Sequence, residues 1–593
     1  MKLAPPAIPF LALAISACAT IPAAEDSAAL ASTAQSEREP GVVTLSVIGL
    51  NDFHGNLEPI RRPITVTEND GTQRQVYAGG AAYLATALNE ARSKGDYSLT
   101  IAAGDLIGGS PLISSYFLDE PAIGAMNRIG LDYNAVGNHE FDRGWKELVR
   151  IQDGGCEQHG LRKPCAVEDP YRGASFPFLA ANVIMPDGNS LFPAYGITHF
   201  GNEREGVSVG VIGLTLKETP TLVTPSGVAD LTFEEEAPAI NRAVEALVER
   251  NVDAIIVSIH QGLYTEVGYN DKSCGGVAGP LIDILKQVDP RVDLVISGHT
   301  HRSYVCDFTD IDSDRRFWVV SSGYGASLFA DITMEIDRTT GDARVTQVDN
   351  VVVQSTGVLA DGSAAVPDPG LPHYAPDPEV AEYVAIYAEA SKAASERPVG
   401  RVTGDPRDPG PATEETSLGN AIADAQLLAT REAGAQIAFM NNSGIRTALT
   451  PGEDGTVTFG QIFAAQPFGN SLITRSFTGA QLLALLEQQF DDDAFLQTFS
   501  PSKGFAMSYD LGRPAGNRVV AVSLDGEPID PGKIYRVTMN SFLASGGDSF
   551  TVFEAGANST VGPLDLDAME LWLGQAEVMA LPPTGRVIDL TGE

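Results

Sequence analysis

The stretch ISGHTHRS, residues 296–303, follows the apolar run Val292-Asp293-Leu294-Val295-Ile296. It reads as the end of a short buried strand that delivers two imidazoles, His299 and His301, with only Thr300 between them. One His-x-His pair alone is equally ordinary as surface polarity. Four other apolar runs end in a similar way. TLSVIGL (44–50) leads into Asn51-Asp52-Phe53-His54-Gly55, and SLTIAAG (98–104) leads into Asp105. DYNAVG (132–137) leads into Asn138-His139-Glu140-Phe141-Asp142, and DAIIVSI (253–259) leads into His260-Gln261-Gly262. The chain has 8 histidines, and His54, His139, His260, His299 and His301 all fall at these strand ends. Core packing does not explain that placement, because the loops at the carboxyl edge of an open α/β sheet converge on a ligand.

Converging His, Asp and Asn without thiolates form a divalent-metal site of mixed nitrogen and oxygen donors. The donors are too many for one ion. Two ions roughly 3.5–4 Å apart and bridged by one carboxylate use them all. Asp105 is the expected bridge, because it stands alone at its strand end with glycines on both sides in AGDLIGG (103–109). His299 and His301 can then each serve a different ion. The donor set suits zinc or manganese, and also iron or cobalt.

The chain as a whole has 593 residues and 62.5 kDa, more than one hydrophobic core usually supports, so two domains are expected. Its formal charge of −38 opposes binding of nucleic-acid polymers, but a small phosphate ester held by metal charge remains compatible. Residues 1–18 read as a signal peptide too short to anchor permanently, and ISAC (15–18) resembles a lipoprotein processing box that would put a lipid on Cys18. The Ala/Ser/Glu-rich residues 19–40 read as a flexible tether. This points to an exported protein of a bacterial periplasm or cell envelope, touching the membrane only through that lipid. Four cysteines remain, and an exported chain pairs them locally as Cys156–Cys165 and Cys274–Cys306.

Strand-like runs alternate with helix-like ones across residues 41–355, the pattern of an α/β layered domain, with helices expected over 78–94 and 233–251. Residues 356–397 hold a Pro/Asp/Gly-rich linker and a connecting helix (379–396), and 398–593 form a second α/β domain.

Together, NDFHGNLEP, AAGDLIGGS, GNHEFD, SIHQG and SGHTH resemble the motif blocks of the calcineurin-like metallophosphoesterases, in the order found in two-domain bacterial 5'-nucleotidases. The resemblance implies a four-layer α/β sandwich joined by a helix to a separate nucleotide-binding domain. It implies one ion on Asp52, His54, Asp105 and His301, and another on Asp105, Asn138, His260 and His299. It gives His139 and Asp142, spaced i, i+3, the task of stabilising transition-state charge.

The second region resembles the nucleotide-binding domain of the same family through SLGNAIADA (417–425), NNSGIR (441–446), PFGN (467–470) and NSFLASGGDSF (540–550). On that likeness Phe468 and Phe542 clamp a base, and Asn441 meets its edge. Arg446 takes a phosphate, Asp548 takes the ribose hydroxyls, and Gly504 lets the backbone pass close to the base. One departure stands out: Glu414-Glu415-Thr416 occupies a place where relatives carry an arginine, so either Arg401 or Arg407 substitutes from the preceding loop or the substrate carries less charge near that spot. The implied reaction is removal of a nucleotide's 5'-phosphate. The alternatives on the same fold are a UDP-sugar or NAD pyrophosphatase, a 2',3'-cyclic phosphodiesterase with 3'-nucleotidase activity, and a thiosulfate-ester hydrolase. A non-enzymatic alternative is a surface nucleotide-binding lipoprotein. Oligomeric state is not legible.

Overall fold

The computed structural model describes residues 41–59, 63–159, 162–202, 205–223, 227–265, 267–357, 364, 366–404, 414–491 and 496–592. The expected signal peptide, Cys18, the 19–40 tether and Arg407 lie outside the described residues. No helix among the described residues is long and apolar enough to cross a membrane.

Residues 41–355 build two six-stranded sheets laid face to face. One sheet takes Val42–Leu50 at its centre, with Leu328–Asp337 antiparallel to it on one side and Ala343–Val352 antiparallel to that strand at the edge, and with Tyr97–Ala102, Tyr133–Ala135 and Phe178–Leu179 parallel on the other side. The other is centred on the parallel strands Val207–Thr215, Ala254–His260, Leu294–Ser297 and Trp318–Ser322.

The alternation of side chains along each strand explains the layering. In Val42–Leu50, Val43, Leu45 and Val47 enter the core between the sheets, while Ile48 and Leu50 face the helices Ala81–Arg92 and Glu120–Ile129. In Ala254–His260, Ala254 and Ile256 face inward, while Ile255, Val257 and Ile259 pack under Glu236–Val248. Helix, sheet, sheet and helix make four layers, as the sequence implies. The 78–94 and 233–251 helices appear as Ala81–Arg92 and Glu236–Val248.

The connecting helix is Pro378–Ser395, capped by Asp377, whose side chain accepts from Val380 N–H. Val380, Tyr383, Val384 and Tyr387 bury against the first domain's helices, and Arg128 lies 3.6 Å over the Tyr383 ring. The second domain is organised around a five-stranded sheet, in the order Phe499–Pro501, Ile437–Asn441, Ile534–Asn540, Ser471–Thr478, Ala557–Leu564. Disulfides join Cys156 to Cys165 and Cys274 to Cys306. The lobes touch: Leu112 of the first joins the apolar cluster of the second, and Arg162 donates to Ser115 O at 2.9 Å while its guanidinium lies 5.1 Å from the Phe463 ring.

Candidate metal centre

All seven expected ligands meet at the carboxyl edge of the two sheets. His54 Nε2 lies 3.2 Å from His301 Nε2, 3.8 Å from Asp52 Oδ1 and 3.5 Å from Asp105 Oδ2. On the other side of Asp105, the same Oδ2 is 3.0 Å from His260 Nε2. Asn138 Oδ1 then stands 3.1 Å from His260 Nε2 and 3.0 Å from His299 Nδ1. One carboxylate oxygen thus addresses both donor groups. Asp52 also has a donor atom within 4.8 Å of donors on Asp105 and His260, so it borders both groups.

The backbone bends to bring these donors inward. Asp52, His54, Asp105, His299 and His301 all adopt the left-handed conformation, with φ between 45 and 73°. Outside glycine that conformation is uncommon, and it clusters at functional sites where the surroundings over-determine it. The restraints are visible. Asp52 N–H donates to Gly104 O and His54 N–H to Asp105 O. His54 Nδ1 is 2.7 Å from Gly108 O and His260 Nδ1 is 2.7 Å from Ala103 O, which turns each Nε2 toward the cluster. Gly104 has φ +82°, and a Cβ there would stand 2.7 Å from both His260 Nδ1 and Gly137 N.

Sequence reasoning missed several supporting groups. Glu140 accepts N–H groups from Asp105, Leu106 and Gly137 at 2.6–2.8 Å, fixing the bridging residue's backbone. Asn51 donates to Asp52 Oδ2 at 2.7 Å while its own oxygen takes Ser322 N–H. The Tyr324 ring lies 4.7 Å from His301 and 5.4 Å from His54. Asn51 and Glu140 lie inside the strand-end runs already quoted, but nothing in those runs separates a residue that orients a donor from a donor itself, and Tyr324 stands outside them.

The electrostatics fit a cation pair. Asp52 and Asp105 are buried, and among the described residues their ion pairs are with imidazoles alone. Burial opposes ionisation of Asp105, but the charges of His260 and His139 hold its carboxyl well below the usual range. Burial likewise pulls His260 down, yet Asp105 and Asp52 push it up to about 10. His299 goes the other way: burial and the neighbouring charge of His260 lower it to about 3, leaving the neutral imidazole a metal ligand needs. Two buried carboxylates, imidazoles and an amide oxygen match a divalent centre of mixed nitrogen and oxygen donors.

His139 sits beside this centre. Its Nδ1 lies 3.0 Å from Asp142 Oδ2, and its backbone N–H donates to Asp105 Oδ1 at 2.9 Å. Burial lowers the imidazole's pKa, but the carboxylates of Asp142 and Asp105 raise it overall. From the second lobe, Phe468 stacks on His139 with centroids 5.9 Å apart and planes 13° from parallel. Arg446 lies 6.0 Å over the same Phe468 ring, and its Nη2 would be 3.5 Å from a Cβ on Gly109.

The other expected substrate residues divide. Asn441 and Ser443 both donate to Asp548 Oδ2, at 2.8 and 2.7 Å, and Asn540 donates to Asn441 Oδ1 at 2.9 Å. Asn441 thus spends its amide on positioning Asp548. Phe542 packs with the lobe's core, and no ring contact joins it to Phe468 among the described residues. Gly504 stands apart. Residues 499–502 run antiparallel to 438–441, so Ser502 is level with Ala438, three residues or about 10 Å from the Asn441 end, and Gly504 lies in the turn that follows. Its φ of +92° serves a turn beside Asp525. Arg401 does not stand in for the missing arginine, because its Nε donates to Asp454 O at 2.9 Å. Glu415 is occupied as well: its carboxylate accepts N–H groups from Gly585, Arg586 and Val587.

Fold and site together define a metal-dependent phosphoesterase with an appended nucleotide-type lobe. Residues 45–303 match the calcineurin-like phosphoesterase model and residues 398–555 match the 5'-nucleotidase C-terminal domain model, so the chain belongs to the metallophosphoesterases of the 5'-nucleotidase family. It is 30% identical over 549 residues to Endonuclease YhcR of Bacillus subtilis, covering 92% of this chain and 41% of the relative. It is 31% identical over 540 residues to Cell wall protein Lmo0130 of Listeria monocytogenes, covering 86% of this chain and 64% of that one. The chain therefore spans less than two thirds of either relative's length. The crystal structure of a 5'-nucleotidase precursor from Thermus thermophilus shares the fold, with a TM-score of 0.68 and 24% identity over 92% of this chain and 99% of that one.

Proposed function

We propose that the protein is an exported hydrolase that removes the 5'-phosphate of nucleotides with two divalent cations. The carrying observation is Asp105, whose single Oδ2 faces His54 on one side and His260 on the other. Asp52, His54, Asp105 and His301 would hold one cation, and Asp105, Asn138, His260 and His299 the other. When bound, such a pair supplies Lewis acidity that makes a water nucleophilic near neutral pH and neutralises phosphoryl oxygens.

The remaining steps belong to the chain. His139, whose charged form the Asp142 carboxylate favours, would offer Nε2–H to oxygen carrying developing negative charge. Arg446 has no hydrogen bond or ion pair from its guanidinium among the described residues, so its donors are open to a phosphate. Phe468 shields this corner from water and offers an aromatic face to a base. Asp548, oriented by Asn441 and Ser443, accepts from ribose hydroxyls. Water adds to phosphorus, and the 5'-oxygen leaves with the bonding electrons and takes a proton, giving nucleoside and phosphate.

The test is phosphate release from AMP, UMP, UDP-glucose, NAD, 2',3'-cyclic AMP and a single-stranded oligonucleotide, with and without EDTA. The expected outcome is release from the mononucleotides that EDTA abolishes and Mn²⁺ or Zn²⁺ restores. Chelator-insensitive release, or none from any of the panel, overturns the reading.

A further inference from the structure

Just beyond the imidazoles, the segment after His260 runs against the segment that carries His299. A Cβ on Gly262 would stand 2.2 Å from Gly298 O and 2.7 Å from Thr300 Oγ1, so only glycine admits this approach. Both backbone polar groups of the next residue, Leu263, are taken by the facing segment. Its carbonyl accepts the Thr300 hydroxyl at 2.9 Å, and its N–H donates to the Tyr304 phenol oxygen at 3.0 Å. Leu263 and Tyr304 are buried, so neither bond is exchanged with solvent.

The phenol carries the connection onward. Tyr304 Oη lies 2.8 Å from Ser297 Oγ, and Ser297 Oγ donates to Val320 O at 2.9 Å. A serine hydroxyl has one proton, and this one is spent on Val320, so the phenol donates to Ser297. Leu263 N–H, Tyr304 O–H and Ser297 O–H thus form a chain of one direction that ends on the strand Trp318–Ser322. Bonds arranged head to tail in a buried site polarise one another. The chain acts on backbone and hydroxyl groups rather than on the imidazoles themselves. Its place in the fold gives it leverage, because His260 lies three residues before Leu263 and His299 lies between Ser297 and Thr300.

We infer that Tyr304 and Thr300 are positioning residues: by holding the N–H and C=O of Leu263, they fix the separation of the segments bearing His260 and His299 and so set the affinity for the cation those two imidazoles would share. This rests on the dimetal reading. The set Asp105, Asn138, His260 and His299 draws both of its imidazoles from the clasped segments, whereas the set Asp52, His54, Asp105 and His301 draws only His301 from them. Removing a clasping hydroxyl therefore weakens one of the two cations more than the other. Thr300→Val and Tyr304→Phe take away the hydroxyl and keep nearly the same volume, and Thr300→Ser keeps the hydroxyl.

The test is calorimetric titration of the full, chelator-stripped chain with Mn²⁺ in the wild type and these three variants, beside metal-free urea midpoints. In Tyr304→Phe and Thr300→Val one of the two Mn²⁺ dissociation constants rises about tenfold or more, the loss typical when groups that orient metal ligands are removed, and in Thr300→Ser it stays within threefold of wild type. Dissociation constants within twofold of wild type in both hydroxyl-deleted variants overturn the inference, and a lowered urea midpoint beside unchanged constants does so too, since it marks a merely structural role. Thr300 is only half-buried, so if Tyr304→Phe does not fold, the contrast between Thr300→Val and Thr300→Ser decides. A wild type that binds no Mn²⁺ is a failure of the dimetal reading, and the inference falls with it.

Discussion

Asp105 carries the most chemistry per atom in the molecule. Replacing it by Asn keeps the shape but removes the charge that two imidazole groups share. Asp105→Asn is expected to lower bound metal from about two ions per chain to one or none by elemental analysis, and kcat by roughly 10³-fold or more. His139→Asn makes the contrasting case: metal content stays, while kcat falls about 10²–10³-fold at little change in KM. The convergence of these donors was legible because each is a polar residue at or just after the end of an apolar run, a pattern that needs no knowledge of the fold. Glu140, Asn51 and Tyr324 were not, because they act on backbone N–H groups, a carboxylate and ring faces brought near only by folding. Gly504 shows a related limit: glycine content says that a turn is tight, while the strand register says where the turn is.

Among the elements, a recurrent device holds the parallel strands in register. Asp96, Asp132, Asp253 and Asp293 each precede a strand, and each carboxylate accepts the N–H of a residue on or beside the neighbouring strand: Thr44, Thr100, Ser208 and Ile255, at 2.7–2.9 Å. The sequence displayed the repeated Asp-before-apolar-run pattern, but nothing local distinguishes a strand clamp from a turn residue. At Asp293 the clamp has a pH signature. Burial lifts its carboxyl to about 7, against the Ile255 N–H that favours the ion. The native state therefore keeps a proton that the unfolded chain releases above its ordinary 3.8, and wild-type stability falls as pH rises from about 4 to about 7. Asp293→Asn retains the acceptor without the charge. It is expected to gain on the order of 1 kcal/mol over wild type at pH 8 and nothing at pH 4, read from urea midpoints.

For the molecule as a whole, the division into two lobes was legible from the compositional break after residue 356, whereas the way they meet was not, since every contact between them joins residues distant in sequence. Arg446 reaches across that boundary to Gly109. Arg446→Ala is expected to raise KM for AMP about tenfold or more while leaving metal content and thermal midpoint unchanged. The Phe468 ring lying flat on His139 has a larger consequence. On the mechanism proposed above, His139 roofed by the opposite lobe is complete only while the cleft is shut. Heat, denaturant or a wedge-shaped inhibitor that merely parts the halves should silence the enzyme with both halves still folded and the cations still seated, so blocking it does not require a chelating drug.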